Sequence, residues 1–262
     1  MKITAVYFSG TGNTEFVINE IGERLTAAGC AFKAVSIEEF DDKASQAVKN
    51  ADLILFGYPI YGSMAPRIIR EFIKTRHSLF TGKTAGVIIT QLMFSGDGGA
   101  YFARILRSYG IKVVDIEHFN MPSNLSDADV FKIKNGDANK KLIEAAKRKA
   151  DKYCGRILSN AYKRTGDNAF SRFLGLYQRV PFRAGEKYLS ESVKIDTSFC
   201  TLCGQCVACC PMKNLFVEEN RVLQNRNCTL CYRCINLCPQ KAISILIKKK
   251  PKVQYKGPKF NN

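Results

Sequence analysis

The hydrophobic positions fall into two regimes. Over the first 120 residues short apolar runs recur at Ile3 to Phe8, Phe32 to Ile37, Leu53 to Phe56, Ala85 to Thr90 and Ile111 to Ile116. Each has the length of a buried strand. Between them, apolar residues at helical spacing predict helices near Glu15 to Ala28, Pro66 to Thr75 and Ala100 to Tyr109, and a long one near Ala138 to Ala161. Strand and helix in alternation predict an α/β fold, a doubly wound parallel sheet of five strands.

After residue 161 the pattern changes. Phe170, Phe173, Leu174 and Tyr177 stand at i, i+3, i+4 and i+7, which predicts one amphipathic helix within 162–190. Its expected place is between two domains. Arg172, Arg179 and Arg183 keep a second possibility open, a helix lying on a membrane surface or on a partner. From Lys248 to Asn262 there are six lysines, two prolines, one glycine and no acid, the composition of a flexible basic tail.

With 262 residues the chain is long enough for two domains, and 46% hydrophobic against 24% charged residues excludes a disordered polyelectrolyte. No apolar run approaches the roughly 20 residues of a membrane helix. Met1 to Phe8 runs straight into strand-like sequence without a signal core, so a cytoplasmic location is expected. The net charge of +17 is lopsided: residues 1–120 hold 13 basic and 12 acidic side chains, residues 121–262 hold 27 and 11.

In a reducing compartment a dense group of cysteines is expected to bind metal. Of 11 cysteines, nine lie between Cys200 and Cys238. They form a repeat of period 28: Cys200, Cys203, Cys206, Cys210-Pro211, then Cys228, Cys231, Cys234, Cys238-Pro239. Both halves read C-x2-C-x2-C-x3-C-P. Tetrahedral zinc sites pair two hooks across a longer loop and do not need three in succession. The run resembles the bacterial 2[4Fe-4S] ferredoxin family over residues 191–247. That resemblance implies two [4Fe-4S] clusters, one on Cys200, Cys203, Cys206 and Cys238, the other on Cys228, Cys231, Cys234 and Cys210. Cys209, Cys30 and Cys154 read as small buried hydrophobes.

The candidate chemistry of the first half lies in three loops that follow strands. Ser9-Gly10-Thr11-Gly12-Asn13-Thr14 joins the first strand to a helix, with glycines for a tight turn and hydroxyls around an anion site at the helix start. It lacks the Gly-Lys-Ser/Thr of a Walker loop and the third glycine of the dinucleotide fingerprint. The other two loops are Pro59-Ile60-Tyr61-Gly62-Ser63-Met64-Ala65-Pro66 and Gln91-Leu92-Met93-Phe94-Ser95-Gly96-Asp97-Gly98-Gly99. Together they resemble the FMN-contacting loops of the flavodoxin family over residues 1–161. The resemblance implies that Ser9, Gly10, Thr11, Gly12, Asn13 and Thr14 hold the FMN phosphate and that Tyr61 stacks on the flavin. It also implies that Met93 and Phe94 face the other side of the ring and that the Gly62-Ser63 peptide turns toward flavin N5. Pro59, Ile60, Gln91, Ser95, Gly96, Asp97 and Gly98 complete the expected lining. His77 and His118 are isolated and are expected at the surface or at a strand end.

The whole chain is thus similar to the flavodoxin-ferredoxin fusion family: domain 1–161, helical linker 162–190, cysteine module 191–247, tail 248–262. The implied function is electron transfer between iron-sulfur clusters and FMN, to or from a partner redox protein of ferredoxin, reductase or metalloenzyme type. An alternative is an FMN-dependent reductase of a small molecule, and a third reading is a docking module that has lost FMN. Two clusters bring about −4 and FMN about −2, which leaves about +11 to steer acidic partners. No nucleic-acid recognition fold is apparent.

Overall fold

Alternation along the third apolar run sets the layering. Leu53 and Leu55 face one core, while Ile54, Phe56 and Tyr58 face the other, as the period of two in a strand requires. In the computed structural model, which describes residues 1–128, 131, 133, 136–246 and 250–258, this run is β3 (Leu53–Pro59). It pairs in parallel with β1 (Lys2–Tyr7) and β4 (Thr84–Gln91), flanked by β2 (Ala31–Ser36) and β5 (Lys112–Asn120). The order is β2-β1-β3-β4-β5, the flavodoxin-like order, whose switch point lies between β1 and β3.

Helices α1 (Asn13–Ala27) and α5 (Gly136–Leu158) cover one face. The other is covered by α2 (Asp42–Asn50), α3 (Arg67–Arg76) and α4 (Gly98–Ser108), around Phe56, Phe80 and Phe102. Sequence reading missed α2, because only Ala44 and Val48 of it are buried. Its start is marked locally: the Asp41 carboxylate accepts from the Ala44 N–H at 2.7 Å, an N-cap.

Helix α6 (Ala169–Ser190) lies where a linker helix was expected, but its orientation is the reverse of the amphipathic prediction. Its buried residues are Ser171, Gly175, Arg179 and Ser190, and Phe170, Phe173 and Tyr177 are exposed. The loops after β3 and β4 offer α6 backbone carbonyls and the Asp97 carboxylate, and these select its polar side.

The cysteine module has its own core, built on Val193, Leu215, Val222, Ile235, Ile243 and Ile245. It contains the antiparallel pair β6 (Lys194–Ile195) with β9 (Ile243–Ser244), and the hairpin β7 (Leu215–Glu218) with β8 (Arg221–Gln224). Short helices α7 (Gln205–Ala208) and α8 (Arg233–Leu237) carry the third cysteine of each run. The sequence repeat is also a backbone repeat. Leu202 and Leu230, Gly204 and Tyr232, and Lys213 and Lys241 are pairs 28 residues apart, and all six have positive φ.

The expected flexible tail is corrected by Tyr255. This residue is buried, and Gly257 and Pro258 lie against Thr11 and Gly12 of the first β-α loop. Gln254 donates to the carbonyls of Ile235 and Cys238 at 2.9 and 2.7 Å, and the Tyr255 N–H donates to Asn236 Oδ1 at 2.6 Å. Composition alone hides one buried aromatic among lysines. Lys248, Lys249 and residues 259–262 lie outside the described residues.

Candidate flavin and iron-sulfur sites

The loop after β1 ends on Gly12, whose φ of +91° places it in the left-handed region directly before α1. Only glycine takes that turn without strain, and it aims the start of α1 at the C-terminal edge of the sheet. A cleft opens there, between the ends of the strands and the loops that follow them. Of the predicted residues, Ser9, Gly10, Thr11, Asn13, Thr14, Pro59, Ile60, Tyr61 and Gln91 line it. The Thr14 and Thr90 hydroxyls pair at 2.7 Å. The Tyr61 hydroxyl is buried with no partner among the described residues. Burial, then the nearby Cys231 and Cys228 sulfurs, hold its phenol far above the ordinary range. A hydroxyl-lined cradle, a helix start and an orphaned phenol fit the phosphate and ring of FMN.

The cavity also has a fourth side that sequence reading missed: Met121, Pro122, Ser123, Asn124 and Leu125, after β5. Asn124 Nδ2 donates to Thr11 Oγ1 at 3.0 Å, and Asn13 Nδ2 donates to the Pro122 carbonyl at 2.9 Å. Pro122 and Asn124 after the last strand were the available signal.

The remaining predicted residues are placed elsewhere. Met93 and Phe94 are exposed and do not line the cavity, because this loop is drawn toward α6. Gln178 Nε2 donates to the Phe94 carbonyl at 3.2 Å. Residues 61–64 form a closed turn, Tyr61 and Met64 exchanging backbone bonds of 3.0 and 2.9 Å, and the Phe182 ring packs against Gly62. The Ser63 hydroxyl donates to the Ser95 carbonyl at 2.5 Å, and the Ser63 carbonyl accepts from Arg179 at 3.2 Å. The 62–63 peptide is therefore held by α6. Ser95 Oγ is bonded to Gln91 at 2.5 Å. Asp97 is fully buried and pairs with Arg179 and Arg104 at 3.0 and 2.5 Å. Gly96 packs on the Gly175 backbone, and Gly98 lies against Ile60. These residues shape the loop and seat α6.

His118 sits on β5, as the strand-end expectation had it, but it is buried, with Nδ1 3.4 Å from Ser95 Oγ. Burial pushes its pKa down from 6.5 to about 4, opposed by Glu117 and aided by Lys149. The unfolded chain therefore takes up this proton first. Stability is full above about pH 6.5 and falls as pH drops toward 4, by up to about 3 kcal/mol. His118→Gln is expected to flatten the fall in urea midpoint between pH 7 and pH 5. An unchanged slope would assign the acid sensitivity to other groups.

Two further cavities lie within the cysteine module. One is lined by Cys210, Cys228, Cys231 and Cys234, and the other by Cys200, Cys203, Cys206 and Cys238. This is the crossed partition, the fourth cysteine of each run facing the opposite cavity. All of these cysteines are free thiols. Backbone N–H groups of Asn214, Leu230 and Ala242 point at the sulfurs of Cys210, Cys228 and Cys238 at 3.2 to 3.3 Å, the polarity that anionic cluster sulfurs require. Four thiols to each cavity and inward-pointing N–H groups are the donor chemistry that fits one cubane in each. Cys209 lies outside both, its thiol 3.6 Å from the Cys206 carbonyl.

The first of these cavities adjoins the flavin cavity. A Cβ on Gly10 would stand 2.5 Å from the Cys231 carbonyl oxygen. Arg233 fastens the contact, donating to the carbonyls of Ser9, Gly10 and Cys209 at 2.8, 3.0 and 3.1 Å and to both Glu38 oxygens at 2.6 and 2.7 Å.

A family model described as a flavodoxin domain matches residues 5–147, more than half of the chain. The chain belongs to the flavodoxin family. A second model, described as a 4Fe-4S dicluster domain, matches residues 192–239, and the organisation is that of a flavodoxin-ferredoxin fusion. The flavodoxin of Megasphaera elsdenii is 30% identical over 125 residues, covering 47% of this chain and 89% of that protein. The solution structure of its two-electron reduced form aligns at 29% identity over 56% of this chain and 98% of that one, with a TM-score of 0.40. A flavodoxin structure from the domain Archaea aligns at 20% identity over 60% and 99%, with a TM-score of 0.42. The flavodoxin and iron-sulfur domains make this an electron-transfer chain of flavin and iron-sulfur type. Among the described residues no helix is long and apolar enough to cross a membrane.

Proposed function

We propose that this flavodoxin-ferredoxin chain holds FMN at the β1, β3 and β5 loops and two [4Fe-4S] clusters on the crossed cysteine sets, and exchanges electrons with a partner redox protein. The FMN supplies a centre that takes one or two electrons, and the clusters supply one-electron centres. The observation that carries the reading is the backbone contact of Gly10 with Cys231, which sets the Cys210 cavity against the flavin cavity. Cys203, in the other cavity, is exposed. We assign the Cys210 side to exchange with the flavin and the Cys200 side to exchange with the partner. The division into domains 1–161 and 191–247 belongs to the same reading. That α6 occupies the loops after β3 and β4 favours a carrier over a reductase of small molecules.

An anaerobic reductive titration of the reconstituted protein tests this, with iron and flavin counted per chain. About eight irons and one FMN are expected, the flavin band bleaching in step with cluster absorbance. Full iron without flavin would sink the coupling.

The tail supports the phosphate loop. The Tyr255 hydroxyl donates to Asn13 Oδ1 at 2.5 Å, and Pro258 packs near Gly12. Tyr255→Phe removes one hydrogen bond, about 1 kcal/mol, so FMN is expected to bind roughly fivefold more weakly with iron content unchanged. Equal affinity in a flavin fluorescence titration would show that the tail does not order the loop.

A further inference from the structure

We infer that the outer face of α6 is a membrane-surface site that docks the chain on anionic lipid. A helix on a globular protein ordinarily turns its apolar stripe inward. Here the polarity is inverted. Ser171, Gly175, Arg179, Phe182, Glu186 and Ser190 recur at helical spacing on the side facing the protein. Arg179 pairs with Asp97, and Glu186 with Arg70 of α3. On the opposite side Phe170, Phe173, Leu176, Tyr177, Val180 and Tyr188 are between 55% and 75% exposed. Met93 and Phe94 extend the patch, held beside α6 by Gln178. Isolated exposed apolar side chains are ordinary, but five large ones on one side of the helix between Phe170 and Val180, with Tyr188 two turns further on past Pro181, are not.

Charge selects the occupant. Exposed Arg183 and Lys187, with Arg172 paired to Asp167 at 3.4 Å, lie along one edge of the stripe, and the only acid within α6, Glu186, is paired with Arg70. The chain carries +17 before its cofactors and about +11 with them. A second copy of so basic a surface would bring like charges together, whereas an anionic bilayer supplies apolar depth and counter-charge at once. Phenylalanine, leucine and tyrosine beside arginine and lysine is the composition of an interfacial helix, about 33 Å long at this length, lying in the headgroup plane. The inference does not depend on the redox reading.

Cosedimentation of the holoprotein with phosphatidylglycerol vesicles and with phosphatidylcholine vesicles tests it. The expected result is binding to the first at least tenfold stronger than to the second, and a drop of at least tenfold in the Phe173→Ala/Tyr177→Ala double variant. That variant leaves the net charge unchanged, keeps good helix formers, and removes only side chains that face away from the protein, so unchanged iron and flavin absorption verifies its fold. No binding to phosphatidylglycerol vesicles would overturn the inference. Binding that the double variant retains in full would overturn it too, as attraction to basic charge alone. A concentration-dependent dimer in sedimentation velocity, abolished by the double variant, would assign the face to a second copy instead.

Discussion

Replacing Cys238 by serine is expected to halve the iron, from about eight to about four per chain, by emptying the cavity built mainly from the first cysteine run. Cys238 follows Cys228, Cys231 and Cys234 in sequence, so an uncrossed assignment predicts loss of the other cluster. In space it lines the cavity of Cys200, Cys203 and Cys206. Pairing the substitution with a second one decides between the two. Cys203→Ser together with Cys238→Ser is expected to keep about four irons, since both strike one site, whereas Cys231→Ser with Cys238→Ser is expected to keep almost none. The reverse pattern would refute the crossed partition. Stability should fall as well, because the cysteines are part of the core around Ile235 and Ile243 and cluster binding is folding energy for a module this small.

Arg233→Ala is expected to loosen the two halves of the chain without emptying either. The side chain satisfies three backbone carbonyls and the Glu38 carboxylate at the seam. Its loss strands those acceptors and the carboxylate. Charge-assisted hydrogen bonds contribute about 1.5–3 kcal/mol each, and both partners remain partly open to water, so the net cost is about 2–3 kcal/mol. Iron and flavin counts are expected to hold, while cluster-to-flavin electron exchange in stopped-flow absorption slows at least tenfold. An unchanged rate would show that the modules are held by other contacts, of which Asn236 is the first to examine. It is almost fully buried, donates to the Asn124 carbonyl at 2.9 Å, and is bonded to Ser126 and Tyr255.

What the sequence disclosed follows from how local each signal is. The inner strands β3 and β4 are continuous apolar runs because both faces are covered, and the cysteine run is legible because ligand spacing is a short-range constraint. The β1 loop was legible for the same reason, its glycine and hydroxyls being adjacent in sequence. The 121–125 wall was not, since Asn124 acts through Thr11 and Asn236, each over a hundred residues away. Nor was the fate of Met93 and Phe94, which depends on α6 taking up the carbonyl of Phe94. For α6 itself periodicity identified the helix but not its inner side. Hydrophobic spacing implies an inward stripe only when the surface opposite is apolar, and here that surface presents Asp97 and the Ser63 carbonyl.

The bond from Tyr255 to Asn13 closes a loop of 242 residues. During synthesis the sheet can form as soon as the first half has emerged, since its strands pair through short crossovers. The phosphate loop, by contrast, acquires its last partner only when the segment around Tyr255 has been made and laid over α8. A chain stalled before Tyr255 therefore has every strand of its sheet but lacks the hydroxyl that fastens Asn13 from above.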